Sequence, residues 1–157
     1  MPAITPMLWF DKEAEEAARF YVSVFPNSKI TTITRYGEAG PGAKGSVMTV
    51  NFELDGEPFT ALNGGPLFKF NESVSYVIHC KDQAEVDRYW AKLVEGGGEH
   101  SQCGWLKDRF GLSWQVTPDV LLEFIADPDT AKQQRVMQAM MQMAKLDIAA
   151  LRKAAAG

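Results

Sequence analysis

The chain of 157 residues contains only two cysteines and two histidines, and this scarcity limits its possible chemistry. Two cysteines are too few for a disulfide scaffold, which suits a reducing compartment. No apolar run approaches the roughly 18 residues that a membrane span needs. The segment MPAITPMLWF has no basic stretch that leads into a cleavable apolar segment, so we expect no signal peptide. We therefore expect a cytoplasmic protein with no membrane partner.

Positive charge is also in short supply. Sixteen lysines and arginines face 20 acidic residues, which gives a net charge of −4 and a pI near 5.2. This balance disfavours nucleic acid as a partner. The content of 46% hydrophobic and 23% charged residues is that of an ordinary globular chain. The length suits one domain that spans residues 1–157.

The first half of the chain predicts a strand, a helix and further strands. The apolar run Ile4–Phe10 predicts a buried strand, and Asp11 is placed to cap the helix that follows. Pro26 ends that helix because it can neither donate a backbone hydrogen bond nor continue the turn. Asp55-Gly56 predicts a hairpin turn, since both residues tolerate positive φ. The remaining strands are predicted at Lys29–Tyr36, Ser46–Leu54 and Phe59–Asn63.

The second half repeats this order. Ser73–Cys80 predicts a strand, and Asp82 with Glu85 resembles a capping box at the start of a second helix. Three consecutive glycines, residues 96–98, end that helix. Two short strands then flank a turn over residues 108–111, where we expect Asp108 and Arg109 to fix the turn.

The two halves also share residues at a constant spacing. Glu16, Arg19, Phe20 and Tyr21 match Glu85, Arg88, Tyr89 and Trp90 at an offset of 69 residues. The sequence therefore predicts an α+β protein with two similar modules, each a strand, a helix and further strands, at about residues 1–66 and 73–118. Modules of this kind usually place their sheets side by side, so we expect a cleft between the halves.

Helical patterns occupy the C-terminal region, about residues 119–156. Val120–Ala126 predicts a short helix, and Pro128 is placed to begin a longer one. This longer helix carries a stripe at Val136, Met137, Met140, Met141 and Ala144. We expect the stripe to pack on the sheet or on a second subunit. A promiscuous ligand surface is the alternative, because methionine adapts to uneven surfaces.

Several segments together resemble a known superfamily. They are FDKEAEEAARFYVSVFPNS, FTALNGGP, CKDQAEVDRYW, CGWLKDRFGLSWQVTP and RVMQAMMQMAKLDIAAL. They resemble the PhnB-like branch of the glyoxalase / bleomycin resistance / extradiol dioxygenase superfamily, also called vicinal oxygen chelate. Members of this branch often carry the label demethylubiquinone methyltransferase. The resemblance implies paired βαβββ modules, commonly in a homodimer.

The resemblance also implies a divalent metal held by His and Glu side chains, and here the sequence departs from the pattern. The first strand has no histidine, and Gln115 stands four residues after Gly111, where the superfamily commonly has glutamate. Asn63 in the first module is also neutral, and His79 alone cannot hold a metal that needs three or four ligands. We therefore expect neither a metal ion nor another cofactor.

The methyltransferase label receives no support from the sequence. Methyl transfer from S-adenosylmethionine usually rests on a doubly wound sheet with a glycine-rich turn after its first strand. Residues 37–45 join two predicted strands and residues 96–98 follow a helix, so neither glycine-rich segment has that context.

Five residues are our candidates for ligand contact: Trp9, Asn63, His79, Trp105 and Gln115. The indole rings of Trp9, Trp105 and also Trp114 are suited to stack on a flat ligand, with core packing as the alternative. His79 is either a lone base or a partly buried structural residue. Asn63 and Gln115 are expected to hydrogen-bond a polar ligand or each other. We assign no catalytic residue.

The leading hypothesis is a metal-independent protein that binds an unknown small molecule and forms a homodimer. A first alternative is a metal-dependent glyoxalase-like lyase, isomerase or thiol transferase with an atypical site. A second is the methyltransferase of the label, which we disfavour. A third is a protein whose cleft is filled by its own aromatic residues and which acts through partner surfaces.

Overall fold

Two units with the same order of elements make up the computed structural model, which describes residues 3–157. Unit 1 ends at Phe70, and unit 2 is Asn71–Gly157. Each unit contains one four-stranded mixed sheet, and helices follow the last strand of unit 2. The predicted α+β class with paired βαβββ modules and C-terminal helices is thus confirmed. Met1 and Pro2, which the prediction includes in the first module, lie outside the described residues.

Sheet 1, in unit 1, has the strand order β1-β4-β3-β2. Strand β1 is parallel to β4, and the other neighbours are antiparallel. The predicted start of the first strand at Ile4 is wrong, because pairing with β4 begins only at Met7. The elements of this unit are β1 (Met7–Phe10), α1 (Ala14–Val24), β2 (Lys29–Arg35), β3 (Val47–Leu54) and β4 (Glu57–Asn63).

Helix α1 covers one face of sheet 1. Its small residues Ala14, Ala17 and Ala18 are fully buried and allow a close approach to the sheet. The Tyr21 ring lies 6.2 Å from the ring of Phe52, which marks the face of β3 that the helix covers. Burial of a large apolar side chain such as that of Phe52 contributes roughly 1.5–3 kcal/mol. The alternation predicted for β3 is confirmed, since Val50, Phe52 and Leu54 are buried on the same face.

Sheet 2, in unit 2, has the equivalent order β5-β8-β7-β6, with β5 parallel to β8. The sequence does not predict β6, because two residues after three glycines carry no periodic pattern. The elements are β5 (Ser75–Cys80), α2 (Gln83–Lys92), β6 (Glu99–His100), β7 (Trp105–Lys107) and β8 (Ser113–Pro118). Helices α1 and α2 begin 69 residues apart, at Ala14 and Gln83, which is the offset of the sequence repeat.

The turn between β7 and β8 is organised by Asp108. Its side chain is only 3% exposed. Oδ1 accepts hydrogen bonds from the backbone N–H groups of Phe110 (2.9 Å) and Leu112 (3.1 Å). Oδ2 accepts from Nε1 of Trp114 at 2.9 Å. The prediction that Asp108 fixes this turn is confirmed, because its one carboxylate accepts from two backbone donors of the turn and from the indole of β8.

Three helices follow β8: α3 (Asp119–Ile125), α4 (Thr130–Met141) and α5 (Ile148–Ala156). Helix α4 begins after Pro128, because the Asp129 side chain accepts from Ala131 N and Lys132 N and so caps it at Thr130. The residues of the predicted methionine stripe do not all lie in the same surroundings. Met140 packs against the core of this helical region, whereas Met141 is 63% exposed. That core consists of Leu121, Val136, Leu146, Leu151 and Ala155.

The segment between α4 and α5 fastens these helices to sheet 2 and α2. Backbone N–H groups of Cys103 and Gly104 donate to the carbonyls of Met143 and Ala144, each at 2.8 Å. Gly104 has a φ of +82°, and a Cβ there would lie 2.7 Å from the carbonyl oxygen of Val116. Only glycine therefore allows this close approach without strain.

Among residues 3–157, none of the helices has the length and apolar character that a membrane span requires.

Candidate functional site

Side chains in sheet 2 divide between a face that packs on α2 and the opposite face. The Trp90 ring of α2 stacks on the His100 ring of β6, with centroids 4.1 Å apart. His100 is paired with Leu106, and Leu106 with Trp114, so all three lie on the α2 side. Trp114 is 3% exposed, and the alternative reading of this residue as core is therefore the one that the structure supports.

We call the opposite side the distal face of sheet 2. Because side chains alternate along each strand and register partners share a face, its composition follows from the pairing. The distal face carries Ser75, Val77, His79, Glu99, Trp105, Lys107, Ser113, Gln115 and Thr117.

Three of the five predicted ligand residues lie together on this distal face. Trp105 and Gln115 are direct cross-strand partners in the β7–β8 pair. Gln115 is also the partner of Val77, and His79 follows two residues further along the same strand. Nε2 of Gln115 donates to Oγ of Ser75 at 2.9 Å, which fixes the orientation of the amide. The result is a surface with an indole, an imidazole and an amide.

His79 is exposed rather than structural. Its side chain is 63% accessible, and Nδ1 lies 3.5 Å from Oδ1 of Asp119. Asp119 is the first residue of α3, and the sequence analysis did not select it. The sequence feature that could have indicated Asp119 is its position directly after β8, which is parallel to the strand that carries His79. The ends of parallel neighbours lie at the same edge of a sheet.

A small cavity of about 220 Å³ opens over β6, β7 and β8. Lys107 in its wall forms an ion pair with Glu72, which precedes β5. The hydrogen bond and charge of Lys107 hold the pKa of Glu72 below its usual range. The same contact, with a smaller contribution from Glu99, raises the pKa of Lys107. The lining residues are Glu72, Glu99, His100, Ser101, Trp105, Leu106, Lys107 and Ser113.

The two predicted residues of unit 1, Trp9 and Asn63, lie on opposite faces of sheet 1. Asn63 is paired with Phe10, which neighbours Trp9 in the alternating strand β1. Nε1 of Trp9 donates to the carbonyl of Gly65 at 2.9 Å, and its ring meets the Phe68 ring edge to face at 5.0 Å. Trp9 is therefore held by the segment that follows β4.

Asn63 caps α1. Its Oδ1 accepts from the backbone N–H of Ala14 at 2.8 Å, and its Nδ2 donates to the carbonyl of Val47 at 3.1 Å. The predicted cap by Asp11 is wrong: the residue before the helix is Glu13, which makes no side-chain cap bond. Asn63 also lines a cavity of about 410 Å³ beside the start of α1. Its amide is engaged by the backbone of unit 1 on both its oxygen and its nitrogen.

The residues of the distal face do not fit a divalent metal ion. No group of three or more His, Cys, Asp or Glu side chains with suitable geometry occurs in the part of the chain that the structure describes. Gln115 offers only a neutral amide oxygen, which is a weak ligand for such cations. The start of unit 1 also lacks the pattern that is usual for binding S-adenosylmethionine. The turn from β1 to α1 is Asp11–Glu13, without the glycines that let a backbone approach a nucleotide.

Comparisons with known proteins place this fold in a family. The family described as 3-demethylubiquinone-9 3-methyltransferase matches residues 2–117. A PhnB protein from Bacillus cereus, described by the same enzyme name, is 35% identical with a TM-score of 0.67, over 74% of this chain and 99% of that one. No curated protein sequence matches the chain. The match to the family ends before α3, so the three C-terminal helices lie outside it.

Two more distant structures share the fold. A protein from Pseudomonas aeruginosa is 21% identical with a TM-score of 0.63, over 75% of this chain and 98% of that one. A gene product from Arabidopsis thaliana is 19% identical with a TM-score of 0.52, over 73% and 96%. At these identities the likeness concerns the fold alone.

Proposed function

Since this chain belongs to the family described as 3-demethylubiquinone-9 3-methyltransferase, in the PhnB-like branch of the vicinal oxygen chelate superfamily, we propose that it binds a small organic molecule without a metal ion. The ligand lies on the distal face of sheet 2. The observation that supports this is the grouping of His79, Trp105 and Gln115 on one face. An indole to stack on a ring and two polar groups to orient it are the usual elements of such a site.

Enzyme names printed for the family and for the Bacillus cereus protein do not decide the reaction here. Methyl transfer to a demethylated quinone requires a methyl donor, and the turn after β1 lacks a nucleotide-binding pattern. A family name is a statement about descent, whereas the chemistry depends on the side chains at the site. We therefore propose binding, with no reaction assigned.

The proposal also includes a homodimer and a cytoplasmic location. A homodimer is expected from the family resemblance and from exposed apolar side chains such as Met141 in α4. A cytoplasmic location is supported by the two cysteines, which are both free thiols. Light scattering at micromolar concentration tests the first point, and a monomer contradicts it.

Metal independence is tested by calorimetric titration of the full chain with Zn, Ni, Mn and Co salts. We expect no stoichiometric binding below about 1 μM. Sub-micromolar binding that is lost in Gln115→Ala contradicts the proposal and favours the metal-dependent lyase or isomerase alternative. Lys153→Ala, an exposed change in α5, is the control for general effects of mutation.

Ligand binding is tested by titrating isotope-labelled protein with a panel of planar aromatic fragments and following backbone amide shifts. We expect shifts at Val77, His79 and Gln115 that weaken at least fivefold in Trp105→Ala. Fragments that bind only elsewhere, or equally well to Trp105→Ala and to the Lys153→Ala control, contradict the site.

A further inference from the structure

A buried hydroxyl without a partner among the described residues belongs to Ser113, in the wall of the small cavity over β6, β7 and β8. Ser113 is 1% exposed, and its Oγ has no hydrogen-bond partner among residues 3–157. Burying a hydroxyl without a partner is unfavourable, because the group loses its hydrogen bonds to water and gains none, so such groups are rare and require an explanation. Ser113 lines the cavity, and it lies on the distal face as the register partner of Lys107.

The charged side chains of this cavity, Glu72, Glu99 and Lys107, carry a net negative charge. Lys107 is already paired with Glu72 through their side chains. A second carboxylate, that of Glu99, stands on the other side of Lys107 as its partner in the β6–β7 pair. Two carboxylates therefore share one ammonium group at the cavity wall, and this arrangement attracts a further cation rather than an anion.

Trp105 supplies the third feature. It lines the same cavity and is also the cross-strand partner of Gln115. An indole ring attracts an ammonium group through its quadrupole, more strongly than the other aromatic side chains do. The volume of about 220 Å³ is below the range of roughly 300–1,000 Å³ typical for drug-sized ligands, so the cavity holds one group rather than a large molecule.

We infer that this cavity receives the primary ammonium group of a small amine-bearing ligand, with Glu99 supplying charge and Ser113 Oγ accepting a hydrogen bond. The inference rests on the proposed function, because Trp105 lines the cavity and is the cross-strand partner of Gln115. It adds the chemical class of the ligand: a planar or apolar body on the distal face that ends in an amine. No covalent step is implied.

Three four-carbon probes that differ only in the end group test the inference. Isotope-labelled full-length protein is titrated at constant ionic strength with n-butylammonium, 1-butanol and butyrate. We expect n-butylammonium to shift the amides of Glu99, Lys107 and Ser113 with at least fivefold higher affinity than either other probe. Butyrate binding as tightly at these amides overturns the inference, as does binding of none of the three.

Two variants locate the effect. Glu99→Gln should weaken n-butylammonium about fivefold, whereas Glu95→Gln, an exposed change in the preceding turn, should leave binding unchanged. Ser113→Ala should weaken binding about threefold while the melting temperature stays the same or rises, since an unsatisfied hydroxyl is removed. Unchanged binding in both Glu99→Gln and Ser113→Ala overturns the inference.

The inference and the proposed function fail separately. Aromatic fragments that shift His79 and Gln115, together with no preference for n-butylammonium, refute the amine and leave the binding site standing. Binding of n-butylammonium that responds to Glu99→Gln, with no fragment on the rest of the distal face, supports the cavity and refutes the wider site.

Discussion

Units 1 and 2 share one topology but stabilise it by different contacts. In unit 1, α1 is capped by Asn63, which is 49 residues from the amide that it binds. In unit 2, α2 is capped by its own Asp82, which accepts from Glu85 N, while the Glu85 side chain accepts from Lys81 N. The same helix position is thus fixed by a distant strand in one unit and by local sequence in the other. Topology can be retained while the interactions that secure it are replaced.

The face of sheet 1 opposite α1, which carries Trp9, Asn51 and Thr60, also differs from the distal face of sheet 2. On sheet 1, Trp9 is held by Gly65 and Phe68, and Thr60 donates to Asn51 at 2.7 Å, so polar groups there are engaged within the unit. On sheet 2, an exposed His79 and an unsatisfied Ser113 remain. This difference is the reason that we propose ligand binding in unit 2.

The largest expected effect concerns the hairpin turns of the two units. Asp108→Asn replaces one carboxylate oxygen with an N–H donor, so a hydrogen bond from Phe110, Leu112 or Trp114 is lost in a buried place. We expect a loss of about 3 kcal/mol in the free energy of unfolding, measured with urea.

The corresponding change in unit 1 is the control. Asp55 has a φ of 49° in an exposed turn, and asparagine tolerates that conformation, so Asp55→Asn should stay within about 0.5 kcal/mol. Equal losses in the two variants would show that Asp108 is an ordinary turn residue.

Removing each helix cap sharpens the comparison of α1 and α2. Asn63→Ala leaves the buried Ala14 N–H and the Val47 carbonyl without their partner. We expect a cost of about 2 kcal/mol. Asp82→Ala removes a local, exposed cap and should cost about 1 kcal/mol. Urea unfolding measures both, and a larger loss for Asp82→Ala contradicts our account of the distant cap.

Substitution of Gln83 tests whether the attachment of the C-terminal helices depends on α2. Its side chain donates to the carbonyl of Leu146 at 3.1 Å and accepts from the N–H of Ile148 at 2.8 Å. At the same position in the repeat, unit 1 has Ala14. Gln83→Ala should cost about 1 kcal/mol.

Hydrogen exchange gives the sharper measurement for this variant. The amide of Ile148 should exchange faster in Gln83→Ala, whereas amides in α1 should keep their rates. Uniform acceleration in both units would mean a global loss of stability instead of a local attachment.

A further effect is a dependence of stability on alkaline pH that originates in unit 2. Cys80 is fully buried, and burial, with smaller contributions from Glu85, Asp119 and Asp82, raises the pKa of its thiol to about 12. Between an ordinary thiol pKa of about 9 and this value, only the unfolded chain releases the proton, so stability falls as pH rises.

Cys80→Ala should remove this contribution. We expect the difference in unfolding free energy between pH 8 and pH 10.5 to be smaller in the variant than in the parent protein. An identical decline in both proteins would show that other groups cause it. In the parent, iodoacetamide at pH 8 should leave Cys80 unmodified in the folded state.

Local sequence determined most of the elements, because each depends on neighbours within a few residues. Alternation predicted β3, the Asp82 and Glu85 pair predicted the start of α2, and Asp108 predicted a fixed turn. The repeat at 69 residues predicted two similar modules, since the same periodicities recur in the same order.

Tertiary structure decided where each side chain lies and what it contacts. Trp105 and Trp114 look alike in sequence, but only the packing of α2 shows that Trp114 is core and Trp105 is on the distal face. Asn63 resembled a ligand residue, yet it caps a helix that lies far away in the chain. The unsatisfied Oγ of Ser113 has no sequence signal, because burial and hydrogen-bond partners arise only when strands from different parts of the chain come together.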